Sequence, residues 1–220
     1  QLFKQIIMCS GFDRYFQMAR CLRDEELRSD RQPEHTQIDM EMSFVTQDDI
    51  FDVTERMMAY AFKKSAGIEI EIPFPRFSYD DVMNKYGSDK PDLRNPLVLV
   101  DISEAVKKSE FKVFSGTIKS GGQVKGLRLP EKADLSRKQI SDLEAIAKKE
   151  GAKGLATIAL TPDGVKSPIA KFLSEDEINQ IISTTDLQTG DILFMVADKP
   201  KVVADALGQL RKNLGLEYGL

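Results

Sequence analysis

Two stretches with a side-chain period of two lie on either side of a loop crowded with charge. In the first, over 15–23, Phe16, Met18 and Leu22 alternate with Gln17, Ala19, Cys21 and Arg23. In the second, Ile38, Met40, Met42 and Phe44 alternate with Gln37, Asp39, Glu41 and Ser43. Successive side chains of a strand point to opposite faces, so each stretch has one apolar and one polar face, and the pair reads as an antiparallel hairpin with the apolar side toward a core. Seven of the nine residues over 23–31 are charged. Composition alone leaves two readings of that loop open, a solvated turn or the wall of a ligand cleft.

Three details favour the cleft. Arg23 stands at the strand end on the same face as Gln17, so its stem is held while its planar guanidinium reaches outward, a geometry suited to bidentate grip on phosphate or carboxylate. Glu25 falls on that face two residues later, and Arg31 and Gln32 return on the other side of the loop. Guanidinium, carboxylate and amide together suit a ligand carrying phosphates and an amino-bearing base. His35, the single histidine of the chain, stands at the start of the second strand.

The rest of the chain surrounds this hairpin with helices. Leu2, Phe3, Ile6 and Ile7 recur at helical spacing before Gly11 and predict a helix packed on a core. Gln47–Ala66 carries Ile50, Val53, Met57, Met58, Ala61 and Phe62 at helical spacing and ends at Gly67, which predicts an amphipathic helix covering the sheet. Ser78 caps a short helix, and a turn-rich link, "GSDKPDLR", leads to the strand-like "PLVLVDIS". Beyond Phe111 the character changes. "FKVFSGTIKSGGQVKGLRLP" reads as two short strands around Gly121 and Gly122, Ser136 with Gln139 and Ser174 with Glu177 form capping boxes, "DILFMVAD" is a strand, and 201–214 is a last helix. Two domains are therefore expected, 1–110 and 111–220.

The formal net charge of −4 gives no global pull toward polyanions, so any nucleic-acid contact must come from local basic groups. Two cysteines without ligand spacing and one histidine predict no zinc or other metal site. No apolar run approaches the roughly 18 residues of a membrane span, and "QLFKQIIMCSGF" lacks a secretory pattern, so no membrane association and a cytoplasmic location are expected. The start on Gln1, inside an apolar-periodic segment, looks like a piece of something longer.

"CLRDEELRSDRQPEHTQIDMEMSF" resembles motif 2 of the class II aminoacyl-tRNA synthetases, in the form typical of bacterial aspartyl-tRNA synthetases. "QLFKQIIMCSGFDRYFQMAR" and "YGSDKPDLR" are similar to the same family. From about Phe111 the chain resembles the GAD insertion domain of the bacterial enzymes, most recognisably in "FSGTIKSGGQVKGLRLP". The fold so implied is α+β: part of the class II antiparallel sheet with flanking helices over 1–110, and a separate α+β GAD insertion domain over 111–220.

By that resemblance Arg23 is the catalytic arginine bridging the α-phosphate of ATP and the carboxylate of L-aspartate. Lys4 pairs with the side-chain carboxylate of aspartate, Asp39 orients Lys4, and Gln1 lies near the substrate amino group. Asp24, Glu25 and Gln32 meet the nucleotide, Glu25 through the adenine amino group. His35 stands where the family commonly has a phenylalanine stacked on adenine. Arg28 and Arg31 fall where the family meets the acceptor end of tRNA(Asp). The resemblance also implies Mg2+ with the ATP, its ligands lying outside this chain, a homodimeric parent, and an isolated piece without activity because motifs 1 and 3 are absent. The alternative on these residues is a non-catalytic tRNA-binding or amidotransferase-associated module.

Overall fold

The computed structural model describes residues 2–24 and 31–220. It is an α+β chain with two antiparallel sheets. The chain divides into two compact units, Gln1–Arg76 and Phe77–Leu220.

The first unit contains α1 (Leu2–Cys9), β1 (Arg14–Leu22), β2 (Glu34–Met42) and α2 (Gln47–Ala66). β1 and β2 pair antiparallel from Arg14↔Met42 to Leu22↔Glu34. The expected faces are kept: Phe16 pairs with Met40 and Met18 with Ile38, while Gln17 pairs with Asp39 and Cys21 with His35. Their environment is the reverse of the expectation. Phe16, Met18 and Leu22 are 72%, 62% and 75% exposed, whereas Tyr15, Cys21, His35 and Asp39 on the polar face are half-buried. Alternation fixes which side chains share a face, but a packing partner decides which face is covered. Here α1 lies against the hairpin and is tied to the polar side by Lys4, whose ammonium meets Asp39 and Glu41. α1 therefore has no buried residue, with Leu2 and Phe3 exposed.

The helix expected to cover the sheet has another partner. Glu55, the one buried residue of α2, accepts the Phe74 N–H at 3.2 Å and is ion-paired to Arg76, whose guanidinium lies 4.2 Å from the centre of the Phe51 ring. α2 is thus held by the segment returning after it. Its start is fixed by Thr46, whose N–H and hydroxyl both donate to Asp49, and its end by Gly67 at φ 69°, a left-handed position that glycine adopts without a Cβ clash.

The second unit comprises α3 (Tyr79–Tyr86), β3 (Leu99–Asp101), α4 (Ser103–Val106), α5 (Lys112–Lys119), β4 (Gln123–Leu129), α6 (Arg137–Lys149), β5 (Ala156–Thr161), β6 (Gly164–Lys166), α7 (Glu175–Thr185), β7 (Ile192–Asp198) and α8 (Pro200–Tyr218). Its sheet has the order β3-β4-β7-β5-β6, each pair antiparallel. On β7, Ile192, Phe194 and Val196 enter one core with residues of α6 and α8, and Leu193 and Met195 enter a second with Phe114 and Ile181. Residues 192–197 of "DILFMVAD" are all apolar because both faces of the strand are covered. Among the described residues no helix is long and apolar enough to cross a membrane.

Two sequence expectations change here. The stretch expected as two strands around Gly121 and Gly122 is α5 followed by β4. Phe111, Phe114 and Ile118 recur at helical spacing and pack into one core, so tertiary burial overrides the strand-like composition of "FKVF". The compact boundary also falls after Arg76, not after residue 110. Segment 77–110 folds onto the second unit: β3 joins β4, Val82 and Tyr86 are buried, and the Lys125 ammonium donates to the Asn84 carbonyl and side-chain oxygens at 2.9 Å each.

α3 and α8 approach backbone to backbone where Gly87 faces Gly208. A Cβ on Gly87 would lie 2.7 Å from the Gly208 Cα, and one on Gly208 would meet the Gly87 Cα at 3.0 Å with its carbonyl oxygen closer still. Gly208→Ala should therefore destabilise this unit by about 1–3 kcal/mol through overpacking against an unyielding backbone. Gly116→Ala, inside α5 with open space around the position, should stabilise it by roughly 0.5–1 kcal/mol. Thermal denaturation of both variants checks the pair, and a Gly208→Ala protein as stable as the parent would refute the close-approach account.

Candidate functional site

The polar face of the β1–β2 hairpin carries, pair by pair, Tyr15 opposite Glu41, Gln17 opposite Asp39, Ala19 opposite Gln37 and Cys21 opposite His35. The ladder continues past the last pair, because the Arg23 N–H donates to the Pro33 carbonyl at 2.7 Å. Arg23 thereby keeps the strand alternation and falls on this same side. The face runs about 20 Å from Gln17 to Arg23, six residues of extended chain.

At one end of it sits a four-residue cluster. The Lys4 ammonium is 3.1 and 3.2 Å from the two oxygens of Asp39 and 2.7 Å from Glu41 Oε1. Gln17 Nε2 donates to Asp39 Oδ2 at 3.2 Å. Lys4 and Asp39 are only 21% and 17% exposed at the side chain, which shields the pair from water and salt more than a surface ion pair. The hydrogen bond to Glu41 first, then that to Asp39, holds the Lys4 ammonium above its usual range. Gln17 first, then Lys4, holds the Asp39 carboxyl below the usual carboxylate range. Both shifts favour the ionised pair. Farther along, the Cys21 thiol lies 3.6 Å from Gln37 Oε1, and His35 is half-buried beside it.

The opposite face has a different character. It holds the exposed apolar side chains and one ion pair, Arg20 Nε to Glu34 Oε1 at 2.5 Å. A ligand carrying anionic and hydrogen-bonding groups is offered complementary groups by the polar face.

Of the residues singled out in the sequence, the structure brings Lys4 and Asp39 into direct contact and sets Arg23 and His35 farther along the same face. Asp24, Arg31 and Gln32 are exposed around the loop mouth, and both Arg23 and Arg31 have interactions within the protein. Gln1, Glu25 and Arg28 lie outside the described residues. Glu41 and Gln17 were visible as polar-face residues but had no assigned part. The signal for both was positional, one residue opposite Asp39 across the ladder and one two residues along the strand. Among the described residues no group of three or more His, Cys, Asp or Glu converges as a metal site.

Residues 1–202 match the family of class II tRNA synthetases (D, K and N). The chain is 55% identical over its whole length to an aspartate–tRNA(Asp/Asn) ligase of Geobacillus sp. (strain WCH70), of which it covers 37%. It is 52% identical, over 99% of its length and 36% of the relative, to an aspartate–tRNA ligase of Clostridium acetobutylicum. A third relative, an aspartate–tRNA(Asp/Asn) ligase of Bacillus subtilis (strain 168), is 52% identical over the whole chain and 37% of its own length. The chain thus spans little more than a third of the curated relatives it matches.

Proposed function

The chain belongs to the class II tRNA synthetases (D, K and N), and from that premise we propose that it is part of an aspartate–tRNA ligase. That enzyme activates L-aspartate with ATP and transfers it to the 3′ end of tRNA(Asp). Residues 1–110 are assigned to the catalytic domain around motif 2 and 111–220 to the GAD insertion domain, with 77–110 folding onto the latter. The observation that carries the reading is the polar hairpin face, where a shielded Lys4–Asp39 pair and Arg23 share one side of the two strands.

In the first step an α-carboxylate oxygen of aspartate attacks the α-phosphorus, a P–O bond forms, and the bond to the leaving pyrophosphate breaks with its electron pair. The attacking carboxylate is already ionised and needs no base. What this chain supplies is a fixed arrangement of charge. Lys4, held by Asp39 and Glu41, takes the side-chain carboxylate of the substrate. Arg23 spans the α-phosphate and the reacting carboxylate, and Asp24, Glu25, Gln32 and His35 surround the nucleotide, with Gln1 near the substrate amino group. ATP brings Mg2+ as its counter-ion. Among the described residues no group of three or more His, Cys, Asp or Glu converges to hold the ion.

Arg28 and Arg31 meet the acceptor end of the tRNA, the working enzyme is a cytoplasmic homodimer, and the 220 residues alone are inactive. The exposed apolar hairpin face fits that last statement, since it is a surface for the remainder of such a fold to cover. Aspartate-dependent ATP–pyrophosphate exchange, run with the full-length protein and the 220-residue chain side by side, tests the reading. An active full-length protein beside a silent chain is expected. A silent full-length protein would move the assignment to a non-catalytic tRNA-binding module.

A narrower expectation concerns Lys4. Lys4→Met in the full-length protein should raise KM for aspartate about 10- to 100-fold, the range of a charge-assisted hydrogen-bonded pair, with KM for ATP little changed. Equal rises for both substrates would instead signal a loss of fold.

A further inference from the structure

The Lys4 ammonium is shared between two carboxylates, and the shorter contact, 2.7 Å, is to Glu41 rather than to Asp39 at 3.1 and 3.2 Å. Left to itself, such a cation would be drawn to the closer acid, away from the position that Asp39 defines. Gln17 faces Asp39 directly across the ladder and donates to its Oδ2 at 3.2 Å. An ionised carboxylate only accepts, so the amide must present its NH2 group to Asp39 and turn its carbonyl oxygen away. The amide orientation is thereby set by chemistry.

We infer that Gln17 is a positioning residue for aspartate recognition: by anchoring Asp39 it keeps the Lys4 ammonium in the shared position where the substrate's side-chain carboxylate is received, instead of collapsed onto Glu41. This rests on the assignment of Lys4 as the substrate-carboxylate ligand. Among the described residues, Lys4 from α1, Gln17 from β1 and Glu41 from β2 lie around Asp39, with Tyr15 opposite Glu41. Gln17 is also the foremost cause of the lowered Asp39 pKa. The sign follows: the ionised Asp39 is favoured by the fold at neutral pH, and that preference disappears only as pH falls through the lowered pKa.

The test uses Gln17→Met, which keeps the length of the side chain at an exposed position and removes the donor. In the full-length protein KM for aspartate should rise roughly three- to tenfold, with KM for ATP and kcat within about twofold. Adding Glu41→Gln to Gln17→Met removes the competing acid and should return KM for aspartate toward that of the unsubstituted protein. In the 220-residue chain, NMR titration of the Asp39 carboxyl should show its midpoint moving up in Gln17→Met. Unchanged aspartate KM, equal changes for ATP and aspartate, or a double variant no better than the single one overturns the inference. If the unsubstituted full-length protein shows no aspartate-dependent exchange, it is the proposed function that fails. The Asp39 titration then still decides whether Gln17 anchors that carboxylate, and an unmoved midpoint overturns the anchoring.

Discussion

Arg23→Ala in the full-length protein is expected to lower the rate of aspartate-dependent ATP–pyrophosphate exchange by about 10²- to 10³-fold, the loss seen when one preorganised donor is removed from developing charge. The expectation rests on position. Arg23 extends the ladder of β1 through its N–H bond to Pro33 at 2.7 Å, so its backbone is as fixed as the strand, and alternation puts it on the face that carries Asp39 and His35. In the proposed role its guanidinium meets both the reacting carboxylate and the α-phosphate as charge builds in the transition state. Arg23→Lys should recover only part of the rate, because a point charge cannot make the bidentate contact. The loss should appear in kcat more than in KM for either substrate. An Arg23→Ala enzyme within tenfold of the parent would remove Arg23 from the catalytic role.

The second large effect lies in the other unit and concerns stability. Arg211→Met should cost about 3–5 kcal/mol, read as a fall of about 10–15 °C in the unfolding midpoint of the second unit. Arg211 is 4% exposed. Its Nε donates to the Leu97 carbonyl at 2.6 Å, and its Nη2 donates to those of Asp92 and Asn95 at 2.8 and 2.7 Å. Asn95 answers by donating its side-chain amide to the Arg211 carbonyl at 2.9 Å, and the guanidinium lies 4.9 Å from the centre of the Tyr86 ring. Methionine would keep the apolar stem and remove all three donors, leaving the link before β3 with acceptors short of partners. The same link supplies a control. Arg94 pairs with Asp92 with side chains 89% and 52% exposed, and Arg94→Ala should leave the midpoint unchanged within error. A shift below 1 kcal/mol for Arg211→Met, or equal shifts for the two variants, would show that the clamp does not hold the link.

Local signals were legible where their physics is local. The caps at Ser136 with Gln139, Ser174 with Glu177 and Gly67 stand where the sequence placed them, because each is a contact over three or four residues. The hairpin faces follow from a period of two and a ladder of neighbours. Segment 112–119 misled because its aromatic and β-branched residues suit a strand, while their spacing serves a helix packed against β4 and β7. Arg211 carried no sequence signal of its task, since Leu97, its partner, is 114 residues away.

The candidate site divides in the same way. Arg23 and Asp39 could be named from the chain because resemblance and alternation both pointed at them, and Lys4 and His35 through the resemblance. Gln17 and Glu41 could not be given parts, since their importance lies in which atoms meet Asp39 and Lys4.

The sequence by itself determined the hairpin, its two faces, most helix ends and the family, because these depend on near-neighbour geometry and on a motif long enough to be specific. Only the tertiary structure decided that α1 is tied to the polar face through Lys4, that 77–110 folds with the second unit, and that Lys4 is divided between two acids. Each of these is a choice among long-range partners, settled by the balance of buried area and satisfied charge, and no local pattern encodes that balance.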